Sequence, residues 1–494
     1  MLPHPLTSPA TISHLLSSNA APDGPESCIA SGHLAELESQ LATLDRFMKL
    51  CSRYRRELLR SIVSHKSIVS PVRRLPNELL AEIFNVVVRD DFYASARDDF
   101  YGRSRVRSGV EYPWIFTRVC RRWNAIALGT QSLWSWVFLN MDTIGGAVPA
   151  TRLFYKRSGN LPLTVKIVER FGGKAPANVL NVALSHADRW QNLGLSLTAV
   201  SLPQVALGLD SVRGHLDALT TLEINVRMGV SDTTFKSMDS FTAAPNLAAV
   251  YLQIYDCYAA ASLPPFPLPW QQLTRLSTTV SCNAEALALL PRLSRIVELR
   301  LLFQDPTDIV PFQNHVTLPH LRLLEVRRKY RRAHYSSLPD YAPSPSLLDF
   351  VTCPVLEHLT MRRVALVDTV LSCITRSECS GSLRLFHFDT DLKSLIDGTS
   401  ALSLVHKMPR LSTLYIGHFR SGTAYSCTVR QLHSHWLAVR GNAGTSRLSV
   451  CLSEKGDVHL KDEDVSALLK LQQDGLFIKI QGHLGDPCGL AKVE

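Results

Sequence analysis

Between residues 190 and 416 an apolar-x-x-apolar-x-apolar signal recurs nine times. It starts at Trp190, Leu219, Leu247, Leu273, Ile296, Leu321, Leu356, Leu383 and Leu411, with gaps of 29, 28, 26, 23, 25, 35, 27 and 28 residues. Leu247-Ala248-Ala249-Val250-Tyr251-Leu252 and Leu411-Ser412-Thr413-Leu414-Tyr415-Ile416 are examples, and among the marked positions only Thr278 is polar. The closing alternation is the period of a strand with one buried face. Each unit has room for one short strand and a return segment, and it can bury its leucines only against its neighbours. Full burial of one such side chain is worth roughly 1.5–3 kcal/mol, so the units are stable only when several stack. Pro245, Pro319, Pro354 and Pro409 each stand two residues before a first leucine and mark the same register independently.

Period and pattern resemble leucine-rich repeats. The asparagine or cysteine that usually follows the strand motif is missing; Thr198, Arg227, Tyr255, Ser281, Gln304, Lys329, Val364, Asp391 and Phe419 take its place. The resemblance implies a degenerate, irregular solenoid over residues 186–440. A non-repeating α/β domain with evenly spaced strands is the alternative. Residues 141–185 read as a bridge, with Leu161–Ile167 alternating like a strand. Residues 441–494 have another texture and read as an end cap. In that stretch 446–452 and 476–480 look like strands, and Asp462-Glu463-Asp464 opens a helix through Leu469.

Upstream lies Leu75-Pro76-Asn77-Glu78-Leu79-Leu80-Ala81-Glu82-Ile83-Phe84, followed by Val119-Cys120-Arg121-Arg122-Trp123 and Leu133-Trp134. Pro76 suits a first helical position. Leu79, Leu80, Ile83, Phe84 and Val87 share one helix face. Phe116, Val119, Cys120, Trp123, Ile126 and Ala127 form a second apolar helix that Gly129 ends. Two short helices with this much Leu, Phe and Trp cannot hide it all in each other, and the surplus asks for a partner. The three runs resemble the F-box, the helical module by which substrate receptors of cullin-based ubiquitin ligases bind a Skp-family linker. The wording is similar to F-box-like proteins abundant in mushroom-forming fungi. The resemblance covers residues 71–140 and departs from the pattern in a long charged insertion at 89–112. It implies linker contacts from Leu75, Pro76, Leu79, Leu80, Ile83, Phe84, Val119, Cys120, Trp123, Leu133 and Trp134.

Residues 1–32 are rich in Ser, Pro and Ala without periodicity and read as disordered. A heptad pattern then runs over 33–67 through Leu34, Leu37, Leu41, Leu44, Met48, Cys51, Leu58 and Ile62, with Arg55 at one core position. Such a helix pairs with a second copy or another protein, or packs in cis. The expected fold class is therefore multidomain α + α/β: a coiled-coil-like helix, a small helical F-box, the repeat array and its cap.

Function classes narrow by elimination. The chain is 46% apolar and 19% charged, with no run long enough to span a membrane and no secretory start. Eleven scattered cysteines without a Cys-x-x-Cys pair read as reduced thiols, which fits a cytoplasmic or nuclear protein. No phosphate-binding glycine loop, Gly-x-Ser-x-Gly or paired-histidine helix motif is present. His433-Ser434-His435 lacks further ligands, and no metal or cofactor is expected. Net charge is +10, and residues 51–125 hold fifteen Lys and Arg against eight Asp and Glu. A second basic run, Arg327, Arg328, Lys329, Arg331 and Arg332, sits in the longest gap and suits an acidic or phosphorylated partner. The favoured reading is a non-catalytic substrate receptor holding a client near a ligase. A scaffold outside any ligase and a basic nucleic-acid binder stand as alternatives.

Overall fold

The computed structural model describes residues 9–101, 112–141, 147–169, 177–198, 200–227, 238–255, 267–303, 315–328, 346–362, 367–389, 408, 411–419, 448–454 and 476–482. The chain divides into two compact units, Met1–Glu82 and Ile83–Glu494.

The first unit is dominated by α1 (Gly24–Ile68), none of whose residues is buried. It begins ahead of residue 33, inside a stretch expected to be disordered. The reason is a capping box: the Asp23 carboxylate accepts from the Glu26 N–H at 2.7 Å, and Glu26 accepts from the Asp23 N–H at 3.0 Å. Pro25 in the first turn reinforces that start. After a 3-10 turn at Pro71–Arg74, α2 (Asn77–Tyr101) opens. The Leu80 N–H donates to the Pro76 carbonyl at 3.2 Å, so Pro76 stands just outside the first turn rather than inside it.

In the second unit α2 continues to Tyr101 and takes up half of the supposed insertion. No Pro or Gly interrupts it before Gly102. The single helix expected over Phe116–Ala127 is two, α3 (Trp114–Val119) and α4 (Arg121–Gly129). Cys120 between them is extended, and its Sγ accepts from the Trp123 N–H at 3.5 Å as an N-cap. Asn124 Nδ2 donates to the Thr117 carbonyl at 2.8 Å, giving the end of α3 a partner. Thr130, not Gly129, closes α4: its N–H and its hydroxyl both donate to the Ile126 carbonyl, at 3.0 and 2.7 Å.

Among the described residues a parallel sheet of thirteen strands follows. It comprises β1 (Trp136–Asn140), β2 (Leu163–Val168), β3 (Trp190–Thr198), β4 (Thr221–Arg227), β5 (Ala249–Tyr255), β6 (Arg275–Val280), β7 (Glu298–Phe303), β9 (Leu323–Arg328), β11 (His358–Arg362), β12 (Leu385–Asp389), β13 (Thr413–Phe419), β14 (Leu448–Glu454) and β15 (Leu476–Gly482). Each strand pairs with the next of these in chain order. Two further short strands, β8 (Val316–Thr317) and β10 (Val351–Thr352), pair separately.

The register is that of the sequence repeat. From β4 to β13 every strand of the large sheet begins two residues after the first apolar position of its unit. Val137, Val165, Leu193, Leu222, Val250, Leu276, Leu299, Leu324, Leu359, Phe386, Leu414, Val450 and Ile478 form one unbroken row across the sheet. The marked residues described from Trp190 to Phe386 are buried. Ahead of four strands the pre-proline residues Ala244, Leu318, Cys353 and Met408 accept from the N–H of Leu247, Leu321, Leu356 and Leu411. A proline second in such a turn is pre-set for it, which is why the prolines keep the leucine register. For each strand of the sheet from β5 to β13, a single carbonyl on the previous unit accepts from two successive N–H groups; Thr220, for example, takes those of Ala248 and Ala249.

Parallel pairing requires crossovers. α5 (Ala147–Arg157), α6 (Ala177–Leu184), α7 (Leu202–Asp210), α8 (Asn283–Leu289) and α9 (Val367–Ser377) supply some of them. At Gly208 a Cβ would come within 2.7 Å of Leu180 Cδ2, so glycine lets α7 lie close on α6.

Two boundaries drawn from the sequence are corrected. Residues 141–185 are no bridge, because β1 and β2 already belong to the sheet. β14 and β15 of the supposed cap continue the same parallel ladder; the helix expected from Asp462 lies outside the described residues, as does His433-Ser434-His435. No described helix is long and apolar enough to cross a membrane. Cys353, Cys373 and Cys379 are buried thiols, whereas Cys28, Cys51 and Cys120 are exposed.

Candidate docking surfaces

The helical module of the second unit is built on aromatic rings. Phe84 of α2 stacks on Phe116 of α3 at 4.0 Å, and Trp123 of α4 leans on both, at 4.8 and 6.2 Å. Trp134 follows α4, is fully buried, and donates its indole N–H to the Ala127 carbonyl at 2.8 Å. Trp114 and Phe154 meet it edge-on at 4.9 and 5.2 Å, and the Arg157 guanidinium lies 4.3 Å over its ring. Ser132 donates to Asn85 Oδ1 at 2.8 Å and ties the turn to α2.

The residues expected to touch a linker therefore divide. Phe84, Leu133 and Trp134 are buried and cannot reach a partner without unfolding the module; Leu80, in the first unit, is buried as well. Leu75 and Trp123 are half-buried. Pro76, Leu79, Ile83, Val119 and Cys120 are exposed. Along α2 the steps of a helix separate two faces. Leu80, Phe84 and Val88 are buried, while Leu79, Ile83 and Val86 are 51%, 46% and 44% exposed. Val119 and Leu128 add exposed apolar side chains from α3 and α4. Val86 and Leu128 were missed by the sequence reading. The signal was present, since α2 carries too many apolar residues for one stripe.

The sheet face opposite the leucines bears a different row: Phe138, Lys166, Gly194, Glu223, Tyr251, Ser277, Arg300, Glu325, Thr360 and His387. Lys166 is buried and runs past Gly194, where a Cβ would sit 3.3 Å from its Cγ, to bring its ammonium 3.6 Å from Glu223. Arg300 lies 3.5 Å from Glu325, which also binds Arg327. Arg327 pairs in register with Arg362, and Arg362 with Asp389. Of the basic run expected to grip an acidic partner, Arg327 thus already has a carboxylate partner, shared with Arg300, and Arg328 ends β9; Lys329, Arg331 and Arg332 lie outside the described residues.

His387 belongs to this patch. Burial first, then Arg362 and Arg327, push its pKa down to about 3. Below about pH 6.5 the unfolded chain takes up a proton that the folded one refuses, so stability falls as pH falls. The urea midpoint of the wild type should therefore drop more between pH 6.5 and 5 than that of His387→Gln; equal drops would contradict the neutral, half-buried imidazole.

A cavity of ≈ 810 Å³ opens beside α5 and α6, lined by Arg152, Tyr155, Lys156, Asn181, His186 and Arg189 among others. Its chemistry is already committed. Arg189 donates to the Leu161 carbonyl and Ser158 Oγ at 2.8 Å, and the Tyr155 hydroxyl donates to the Ala183 carbonyl at 3.1 Å. Burial raises the Tyr155 pKa and lowers that of His186, so neither is activated toward its charged form. Among the described residues no His, Cys, Asp and Glu cluster could hold a metal ion.

No protein-family model matches this chain, and no curated protein is similar enough to count as a relative. Among solved structures it is similar to a chain in the crystal structure of the Rad7 and Elc1 complex in yeast, with 15% identity over 88% of this chain and 94% of that one. The TM-score is 0.38, and so loose a likeness settles neither fold nor function.

Proposed function

We propose that this chain is a non-catalytic substrate-recognition subunit of a Skp–cullin–F-box ubiquitin ligase, acting in the cytoplasm or nucleus. The helical module docks the Skp-family linker, and the sheet, read as an irregular leucine-rich-repeat solenoid, holds a client. One observation carries the reading. The module completes its own aromatic core with Phe84, Phe116 and Trp134 and still leaves Ile83, Val86, Val119 and Leu128 in solvent. A stable interface buries about 1,600 Å² around a few such anchors. The chain would contribute proximity only, raising the effective concentration of client at the ubiquitin-transfer site.

The face opposite the leucines suits a protein client better than nucleic acid. Arg300 and Arg327 share Glu325 and Lys166 meets Glu223, so acids are interleaved among the basic residues of this face, Arg362 included, and no uninterrupted basic stripe forms among the described residues. The test is ubiquitin-ligase activity in an immunoprecipitate of the tagged chain. Ubiquitin ladders are expected, and they should vanish with Leu79→Asp and Ile83→Asp together. An inactive precipitate that still contains partner proteins would favour a scaffold outside any ligase.

A further inference from the structure

α1 is forty-five residues long, about 68 Å at the usual rise. Leu34, Leu41, Leu44, Met48, Leu58 and Ile62 on its heptad stripe are each 46% or more exposed. Helices in water owe most of their stability to packing of an apolar face. Glu26, Ala30, His33 and Leu37 are half-buried, but from residue 38 to residue 68 every residue of α1 is exposed, so no face is packed there and the stripe is open to a partner.

Charge along α1 identifies what covers it. Residues 24–45 contain Glu26, Glu36, Glu38 and Asp45 and no Lys or Arg. Residues 46–68 contain Arg46, Lys49, Arg53, Arg55, Arg56, Arg60 and Lys66 against Glu57 alone. The acidic and basic halves meet near the middle of the heptads. We propose that α1 pairs with α1 of a second copy, running antiparallel, so that each acidic half lies along a basic half. A parallel pair would set acid on acid and base on base, which costs affinity and misdirects encounter.

Centred between Met48 and Cys51, the antiparallel heptads place Leu37 against Ile62 and Leu41 against Leu58 of the second copy. Arg55, the polar break in the stripe, then falls opposite Leu44 and beside Asp45, and Glu38 falls opposite Ser61, beside Arg60. A single charged core position of this kind fixes register at some cost in stability. In such a pair the Ile68 ends of the two helices lie at opposite ends of one helical rod. The pairing does not depend on the ligase reading.

The test uses the full chain and two charge-reversed variants, one carrying Glu36→Lys, Glu38→Lys and Asp45→Lys, the other Arg55→Glu, Arg56→Glu and Arg60→Glu. Light scattering after gel filtration should give twice the chain mass for the wild type and the single mass for each variant alone. Affinity should weaken by a factor of about 10² or more. Mixing the two variants should restore the double mass and raise helicity by circular dichroism, which a misfolded variant would not do. A monomeric wild type would mean that the stripe serves a different protein or none. Variants that each stay dimeric would mean a parallel pair. Either result overturns the proposal.

Discussion

Trp134→Ala should unfold the helical module. A fully buried large aromatic costs about 3–5 kcal/mol on truncation to alanine, and Trp134 carries more than volume. Its indole N–H satisfies the Ala127 carbonyl near the end of α4, and its ring packs on Trp114 and Phe154 beneath the Arg157 guanidinium. It also fills the first apolar position of the first repeat unit, ahead of Val137 and Leu139 on β1. The loss would therefore reach the edge of the sheet. Against a total stability of roughly 5–15 kcal/mol, urea unfolding should show an early transition absent from the wild type. Trp123→Ala, at a half-buried site, should cost clearly less. Equal effects would mean that Trp134 is not the anchor described.

The second large effect is on binding. Leu79→Asp with Ile83→Asp should leave the chain folded and abolish linker binding. Both residues are about half exposed on α2, so the folded state loses little, a few tenths of a kcal/mol of helix propensity each. Central apolar anchors cost at least about 2 kcal/mol apiece when lost from an interface, so affinity should fall about 10³-fold. Leu80→Asp is the contrast. Leu80 is buried, and an unpaired carboxylate there should unfold the start of α2 instead. Loss of folding in the Leu79/Ile83 variant, or normal folding of Leu80→Asp, would reverse the assignment of the two α2 faces.

Much of the sheet was legible because one physical rule sets both pattern and register. A leucine that must be buried against the next unit recurs at the same strand position, and the proline turns hold that position in phase. The ends of the array were misread where this rule lapses. The first position of the unit is Pro162 ahead of β2, Arg447 ahead of β14 and Gly475 ahead of β15, none of which marks a leucine row. Trp134-x-x-Val137-x-Leu139 does fit the pattern, but Trp134 was assigned to the helical module alone. In that module the apolar residues were legible and their division between core and surface was not. Spacing puts Leu79 and Leu80 on nearby parts of one helix; only the packed neighbours decide that Leu80 goes in and Leu79 stays out. The break at Cys120 left no trace either, since neither Gly nor Pro is there and cysteine is not a usual cap. The start of α1 is readable from Asp23-Gly24-Pro25-Glu26, but the Ser-, Pro- and Ala-rich composition around it, without periodicity, hides it.

The most direct test of the account is a calorimetric titration of a purified Skp-family linker into the whole chain. Saturable binding with one linker per chain is predicted, absent in the Leu79→Asp, Ile83→Asp variant. A wild-type chain that gives no binding heat and does not co-elute with the linker, while its sheet and helices are intact by circular dichroism, would contradict it.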